Sequence, residues 1–111
     1  MDKSSDTNRL DSLFTALSHS KRRNMVGLLA LHPATVKQLA ERNDLSLPAM
    51  HKHIRLLEKA GLIVRKKVGR TNFVALSRNS LKQVQDWVLQ FRADWGNDAE
   101  SLENYIASLR A

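Results

Sequence analysis

Apolar residues recur with helical spacing near the start of the chain. The spacing i, i+3, i+4, i+7 predicts a first helix from about Asn8 to Leu17. The apolar residues of this stripe are Leu10, Leu13, Phe14 and Leu17. A second helix is predicted from Lys21 to Leu31, with Ser20 as its N-cap and enough apolar positions to be mostly buried.

Two further helices, joined by a tight turn, follow a loop at residues 32–34. Thr35 is a suitable N-cap for a short helix from Val36 to Arg42, whose inward positions are Val36, Leu39 and Ala40. After a turn at residues 43–45, the next helix begins at Ser46 or Leu47 and stops at Gly61. Helix, short turn and helix in this order predict a helix-turn-helix unit.

The second helix of this unit is amphipathic. Met50, Ile54 and Leu57 share one face, and His51 and His53 lie on its flanks. The opposite side carries Pro48, Ala49, Lys52, Arg55 and Lys59. A recognition helix places its N-terminal half in the major groove of DNA. The candidate base-reading residues are therefore Leu47, Pro48, Ala49, His51 and Lys52.

Residues 62–76 predict two strands around a turn at residues 68–71. The basic residues near the tip of this hairpin are Arg65, Lys66, Lys67 and Arg70. A basic hairpin beside a recognition helix can grip phosphates or straddle the adjacent minor groove.

The remainder of the chain predicts either one long helix bent near Gly96 or two helices, with Ser80 as N-cap. Its apolar and aromatic positions include Leu81, Val84, Trp87, Val88, Phe91 and Trp95. So much aromatic surface favours a two-fold interface with a second copy, formed with the first helix, while packing on the protomer's own core is the alternative. The predicted interface residues are Leu10, Leu13, Phe14, Leu17, Trp87, Phe91 and Trp95.

Charge is segregated along the chain. The net charge is +7, but residues 21–82 contain 14 Lys and Arg against three acids, a net of +11. The two ends carry the acidic excess, which indicates a polyanionic partner for the central segment. Lys21, Arg22 and Arg23 oppose the macrodipole at a helix start, so they are either solvated cations or phosphate contacts.

The length of 111 residues suits one domain, with residues 1–7 as a flexible N-terminus and 8–111 as the domain. Residues 8–17 and 80–109 would be its dimerisation helices. No apolar run has membrane-spanning length and no signal peptide is recognisable, so we expect a cytoplasmic protein. The chain has no cysteine, and His51 and His53 point to different sides of their helix, so we expect no metal and no cofactor.

Three stretches carry a resemblance to a known family. They are LFTALSHSKRRNMVGLL, TVKQLAERNDLSLPAMHKHIRLLEKAGLIVRKKVGR and LKQVQDWVLQFRADW. They resemble the ArsR-type (arsenic-repressor-like) winged helix-turn-helix repressors over about residues 10–109, and specifically the branch without metal sites. The positions matching the family pattern are Arg22, Leu45, Ser46, Pro48, His53, Leu57, Ala60, Gly61, Leu62, Gly69 and Arg70.

The resemblance implies a mainly α fold with a wing hairpin and a homodimer on a palindromic operator in double-stranded DNA, with an unidentified inducer. The predicted phosphate contacts are Arg22, Lys37, His53, Arg55, Lys66, Lys67 and Arg70. His51, Ile54 and the pair His19-Ser20 depart from the family pattern, so the operator sequence does not follow from the resemblance.

Two other functions remain as alternatives. A winged helix could dock an acidic partner protein through the same basic face. An enzyme is disfavoured because the sequence has no Gly-rich phosphate loop and no nucleophile arrangement.

Overall fold

The computed structural model describes the backbone of residues 3–91 and 98–110, and the side chains of residues 7–91 and 101–110. In chain order the helices and strands are α1 (Lys3–Leu17), α2 (Ser20–Leu31), β1 (Ala34–Thr35), α3 (Val36–Arg42), α4 (Leu47–Lys59), β2 (Ile63–Val68), β3 (Thr71–Leu76), α5 (Arg78–Leu89) and α6 (Asp98–Arg110). The mainly helical winged helix-turn-helix fold that the sequence predicts is confirmed.

The core lies where α3 and α4 pack with α1 and α2. The three residues predicted to form the inner face of α4 are fully buried, namely Met50, Ile54 and Leu57. Val36, Leu39 and Ala40 bury the inner face of α3 as predicted. The tight turn between the helices contains Asp44, whose φ of 53° is in the left-handed region that Asp tolerates.

The wing is an antiparallel hairpin whose turn is Gly69-Arg70, and Val68 pairs with Thr71 across it. Gly69 has a φ of 62°, which favours glycine in so short a turn. The sheet has a third strand, because Ala34 and Thr35 pair with Val74 and Phe73. The sequence predicted only a loop at Ala34, since two residues show no alternation and their partners lie far along the chain.

Three helix ends differ from the prediction. The first helix begins at Lys3 rather than Asn8, so residues 3–7 of the expected flexible N-terminus are helical. The N-cap of α2 is His19, whose Nδ1 accepts from the Lys21 amide at 3.1 Å, and not Ser20. Ser77 occupies the N-cap position of α5, while the predicted cap Ser80 donates its hydroxyl to the Gly61 carbonyl.

The described residues of the C-terminal part form the helices α5 and α6, and the predicted bend near Gly96 lies outside the described residues. Trp87 packs edge-to-face on Phe14 of α1, with ring centroids 5.4 Å apart, and on Phe91, at 5.1 Å. The predicted interface residue Trp95 also lies outside the described residues.

Leu13 requires a correction. Its side chain is fully buried in the protomer's own core, so it offers no surface to a second copy. Helical periodicity identified the apolar face of α1 but did not show that this face divides into a buried part and an exposed part.

Candidate nucleic-acid interface

Helix α4 is held so that its polar side faces outward. The Ser46 hydroxyl accepts from the Ala49 amide at 3.3 Å and caps the helix. Pro48 lies in the first turn, where its missing N–H costs no hydrogen bond. With the opposite face anchored in the core, Lys52 and Arg55 are exposed. The predicted outward side of the helix is therefore the solvent side.

A groove connects the start of α4 with α3 and the wing turn. Its volume is about 580 Å³. Four residues predicted from the sequence as DNA contacts line it together: Lys37, Leu47, His51 and Arg70. Three elements that are separate in sequence thus place two cations and the edge of the recognition helix around one cavity.

The same groove contains polar residues that the sequence did not predict as DNA contacts. They are Thr35, Gln38, Thr71 and Asn72, while Glu41 is the acid among the lining residues. Thr35 and Gln38 form a capping box, in which each side chain bonds the other's backbone amide. The capping pattern was visible in the sequence, but the wing residues reach this groove only through the tertiary fold.

The wing cations are distributed over both faces of the hairpin. Side chains alternate along a strand, so Lys66 and Lys67 project to opposite faces. Lys66 is paired with Phe73 and Lys67 with Asn72 across the ladder. Arg65 forms an ion pair with Glu58 of α4, with Nη2 and Oε1 3.0 Å apart. The basic hairpin is thus joined to the recognition helix by the ion pair of Arg65.

Arg22 is not an exposed phosphate contact, contrary to the prediction. The side chain is buried, with 7% exposed. Its Nε donates to the Ala16 carbonyl at 2.7 Å, and its Nη2 donates to the Thr15 carbonyl at 3.2 Å. Its Nη1 donates to Nδ1 of His53 at 3.0 Å. The guanidinium is therefore occupied within the protomer.

All three cations at the start of α2 donate hydrogen bonds to backbone carbonyls of the same protomer. Arg23 donates to the Leu17 carbonyl at 2.8 Å, and Lys21 donates to the Asn43 carbonyl at 2.7 Å. The last carbonyls of a helix lack intrahelical partners and carry the negative end of its dipole. For both arginines, the end of α1 supplies the negative partner that could otherwise have been a phosphate.

His53 also departs from its predicted role as a phosphate contact. Its ring is half-buried and stacks at a tilt on His19, with centroids 4.8 Å apart. Burial lowers the pKa of the His53 imidazole below its usual 6.5, and the positive charges of Arg22, His19 and Lys21 lower that pKa further. The lowered pKa favours the neutral ring, so His53 is poorly suited to hold a phosphate by charge.

Other kinds of site find no support within the described part of the chain. Among those residues, no group of three or more His, Cys, Asp or Glu could hold a metal ion. No described helix combines the length and hydropathy needed to cross a membrane.

Comparison with known proteins decides the family. A model of a helix-turn-helix domain matches residues 17–66. The crystal structure of an ArsR family transcriptional regulator is 35% identical, with a TM-score of 0.76, over 80% of this chain and 92% of that one. The chain belongs to the ArsR family. It is a DNA-binding transcriptional regulator and not an enzyme.

Two more relatives agree with this assignment. An ArsR-like transcriptional regulator from Rhodococcus sp. RHA1 is 25% identical, with a TM-score of 0.75, over 97% of this chain and 98% of that one. The transcriptional repressor SdpR of Bacillus subtilis (strain 168) is 27% identical over 89 residues, which cover 80% of this chain and 99% of the relative. For this ArsR family member, docking of an acidic protein is not favoured over DNA binding.

Proposed function

We propose that the protein is a homodimeric, cytoplasmic repressor that binds a palindromic operator with α4 in the major groove. The observation that carries this proposal is the groove between α3, α4 and the wing turn, where Lys37, His51 and Arg70 meet. A duplex entering along α4 would present its phosphates to Lys37 and Arg70 while base edges face the helix.

The contacts divide into two classes under this proposal. Base edges are read by the start of α4, where Lys52 and His51 supply polar groups and Leu47 and Ala49 can meet a thymine methyl. Pro48 shapes the first turn of this edge. Phosphates are held by the exposed residues among the predicted phosphate contacts, which are Lys37, Arg55, Lys66, Lys67 and Arg70.

A homodimer is supported by apolar surface that the described residues of one protomer leave exposed. Phe14 and Trp87 are 41% and 39% exposed although they pack on each other, and Phe91 is 48% exposed. In α6 the exposed apolar residues are Leu102, Tyr105, Ile106 and Leu109. The radius of gyration is 19.1 Å, against about 13 Å for a compact domain of this length. A second copy covering α1, α5 and α6 would account for both observations.

The DNA proposal is tested by selecting bound duplexes from a random pool and then measuring affinity against salt. Selection should return a palindrome with half-sites about one helical turn apart. A protein neutralising about six phosphates gives a log–log salt slope near −5. Lys52→Ala together with Arg70→Ala should weaken binding at least about tenfold and reduce the slope by about 1 to 2.

The matched control is Lys82→Ala together with Arg110→Ala, which removes the same charge from α5 and α6 and is used once sedimentation shows that this variant still forms the dimer. It should change affinity and slope much less than the first pair. Equal effects of the two pairs would show that only net charge matters and that the assigned surface is wrong.

The dimer is tested by sedimentation equilibrium at micromolar concentrations. The wild-type chain should sediment as a dimer, and Trp87→Ala should weaken association, whereas exposed Gln85→Ala on the same helix should not. A wild-type monomer that still binds a selected palindrome would overturn the dimer and leave the DNA proposal standing.

A further inference from the structure

Arg22 joins three parts of the molecule through one guanidinium. It begins in α2, donates to two carbonyls at the end of α1, and donates to His53 of α4 at distances between 2.7 and 3.2 Å. Arg22 is 93% buried, since 7% of its surface is exposed. Because both carbonyls belong to the last turn of α1, Arg22 connects the proposed dimerisation helix directly to the recognition helix.

The bond to His53 requires one form of the imidazole ring. An arginine has only donors, so Nδ1 of His53 must accept, and the proton of the neutral ring is on Nε2. A protonated ring has N–H groups at both nitrogens and cannot accept from Arg22. This hydrogen bond between α2 and α4 therefore exists only while His53 is uncharged.

We propose that Arg22 is a positioning residue for DNA binding, which holds the recognition helix against the end of α1 through the neutral ring of His53. The effect on DNA rests on the proposed use of α4 as the base-reading element. His53 lies within one turn of His51 and Lys52, so a displacement at His53 reaches the base-reading edge of a rigid helix.

The surroundings of His53 determine the direction of the effect. The charged and titratable groups that face it from other elements are Arg22 and Lys21 of α2 and His19 before α2. All of them are positive or can become so, and none of the groups that shift its pKa is a carboxylate. A proton added to His53 therefore has no described anionic partner, and it replaces an attractive contact with Arg22 by a repulsive one.

Protonation of His53 should weaken DNA binding, whereas protonation of a histidine beside DNA usually strengthens it. Protonation of histidines near DNA adds positive charge and strengthens binding to phosphates. At His53 the added charge disrupts the support of α4, so acid weakens this contribution to affinity. A purely structural role of Arg22 and His53 would lower stability in acid but would leave affinity unchanged at every pH where the protein stays folded.

The test compares the wild type with His53→Gln on the duplex selected at pH 7.5, at constant ionic strength between pH 5.5 and 8. A glutamine carbonyl can accept from Arg22 but does not titrate in this range. The ratio of Kd at pH 5.5 to Kd at pH 7.5 should be at least about fivefold larger for the wild type than for His53→Gln. The control His32→Gln removes an exposed histidine outside the interface and should keep the wild-type profile.

Parallel pH profiles of wild type and His53→Gln on a duplex that both bind would overturn the proposal. If His53→Gln does not fold, the wild-type protein is titrated by NMR instead. Amide shifts of residues 49–57 should then follow the His53 ring with the same midpoint, and their independence from it would equally overturn the proposal. A failure to select any duplex at pH 7.5 would instead count against the proposed function.

Discussion

Glu58 of the recognition helix and Arg65 of the wing are joined by an ion pair with 3.0 Å between Oε1 and Nη2. Both side chains are 31% exposed, so water reaches the pair. Such a pair contributes at most about 1 kcal/mol to folding. The ion pair has a larger effect on DNA binding, because Glu58 neutralises one cation of the wing, which is proposed to contact phosphates.

Glu58→Gln should therefore strengthen DNA binding while hardly changing stability. The freed Arg65 can neutralise a phosphate, so the log–log salt slope should steepen by about 1 and the melting temperature should change little. Fluorescence anisotropy at several salt concentrations measures the slope. Glu103→Gln on α6 makes the same charge change away from the wing, and an equal steepening there would refute the local effect.

Gly61 and Gly27 should respond to alanine in opposite directions. Gly61 has a φ of 75°, and an added Cβ would lie 3.1 Å from Oγ of Ser80. Gly61→Ala should cost about 1–2 kcal/mol of unfolding free energy. Gly27 lies within α2 with nothing within 4 Å of an added Cβ. Gly27→Ala should raise the unfolding free energy by about 0.5–1 kcal/mol. Urea unfolding measures both variants, and a change of the same sign in both would contradict the prediction.

Leu13 and Phe14 are neighbours in sequence that should separate folding from association. Leu13→Ala removes a fully buried side chain and should lower the unfolding free energy by about 2–5 kcal/mol. Phe14→Ala should lower it less, because Phe14 is 41% exposed, but it should weaken the dimer more. Denaturant unfolding and sedimentation on the same samples test this, and the reverse ranking would contradict the division of the α1 face.

Stability should fall as the pH is lowered through 6.5. The folded-state pKa of His53 lies below its usual value, so below pH 6.5 the unfolded chain binds more protons than the folded one. The unfolding free energy therefore decreases as pH falls, until the lowered pKa is passed and the loss levels off. Melting temperatures from pH 5 to 8, at fixed protein concentration, should depend less on pH in His53→Gln, and identical curves would contradict this.

The sequence by itself determined the elements whose signals are local. Helical periodicity located the buried faces of α3 and α4, because Met50, Ile54 and Leu57 can share a face only at that spacing. Thr35 marked the start of α3 through the chemistry of capping, and the start of α4 was predicted at Ser46 or Leu47. The turn at Gly69 between two apolar segments marked the hairpin, and the family pattern followed from the same residues.

The tertiary structure alone decided the partners that lie far apart in sequence. The pairing of Ala34 with Val74, the burial of Leu13 and the contact of Arg22 with His53 depend on how helices and strands pack. Charge at the start of α2 could be satisfied equally by a phosphate or by the carbonyls of another helix. The tertiary structure places the carbonyls at the end of α1 within reach of the arginines. A hydrogen bond requires a separation of about 3 Å, and the spacing of residues in the sequence does not specify such a distance.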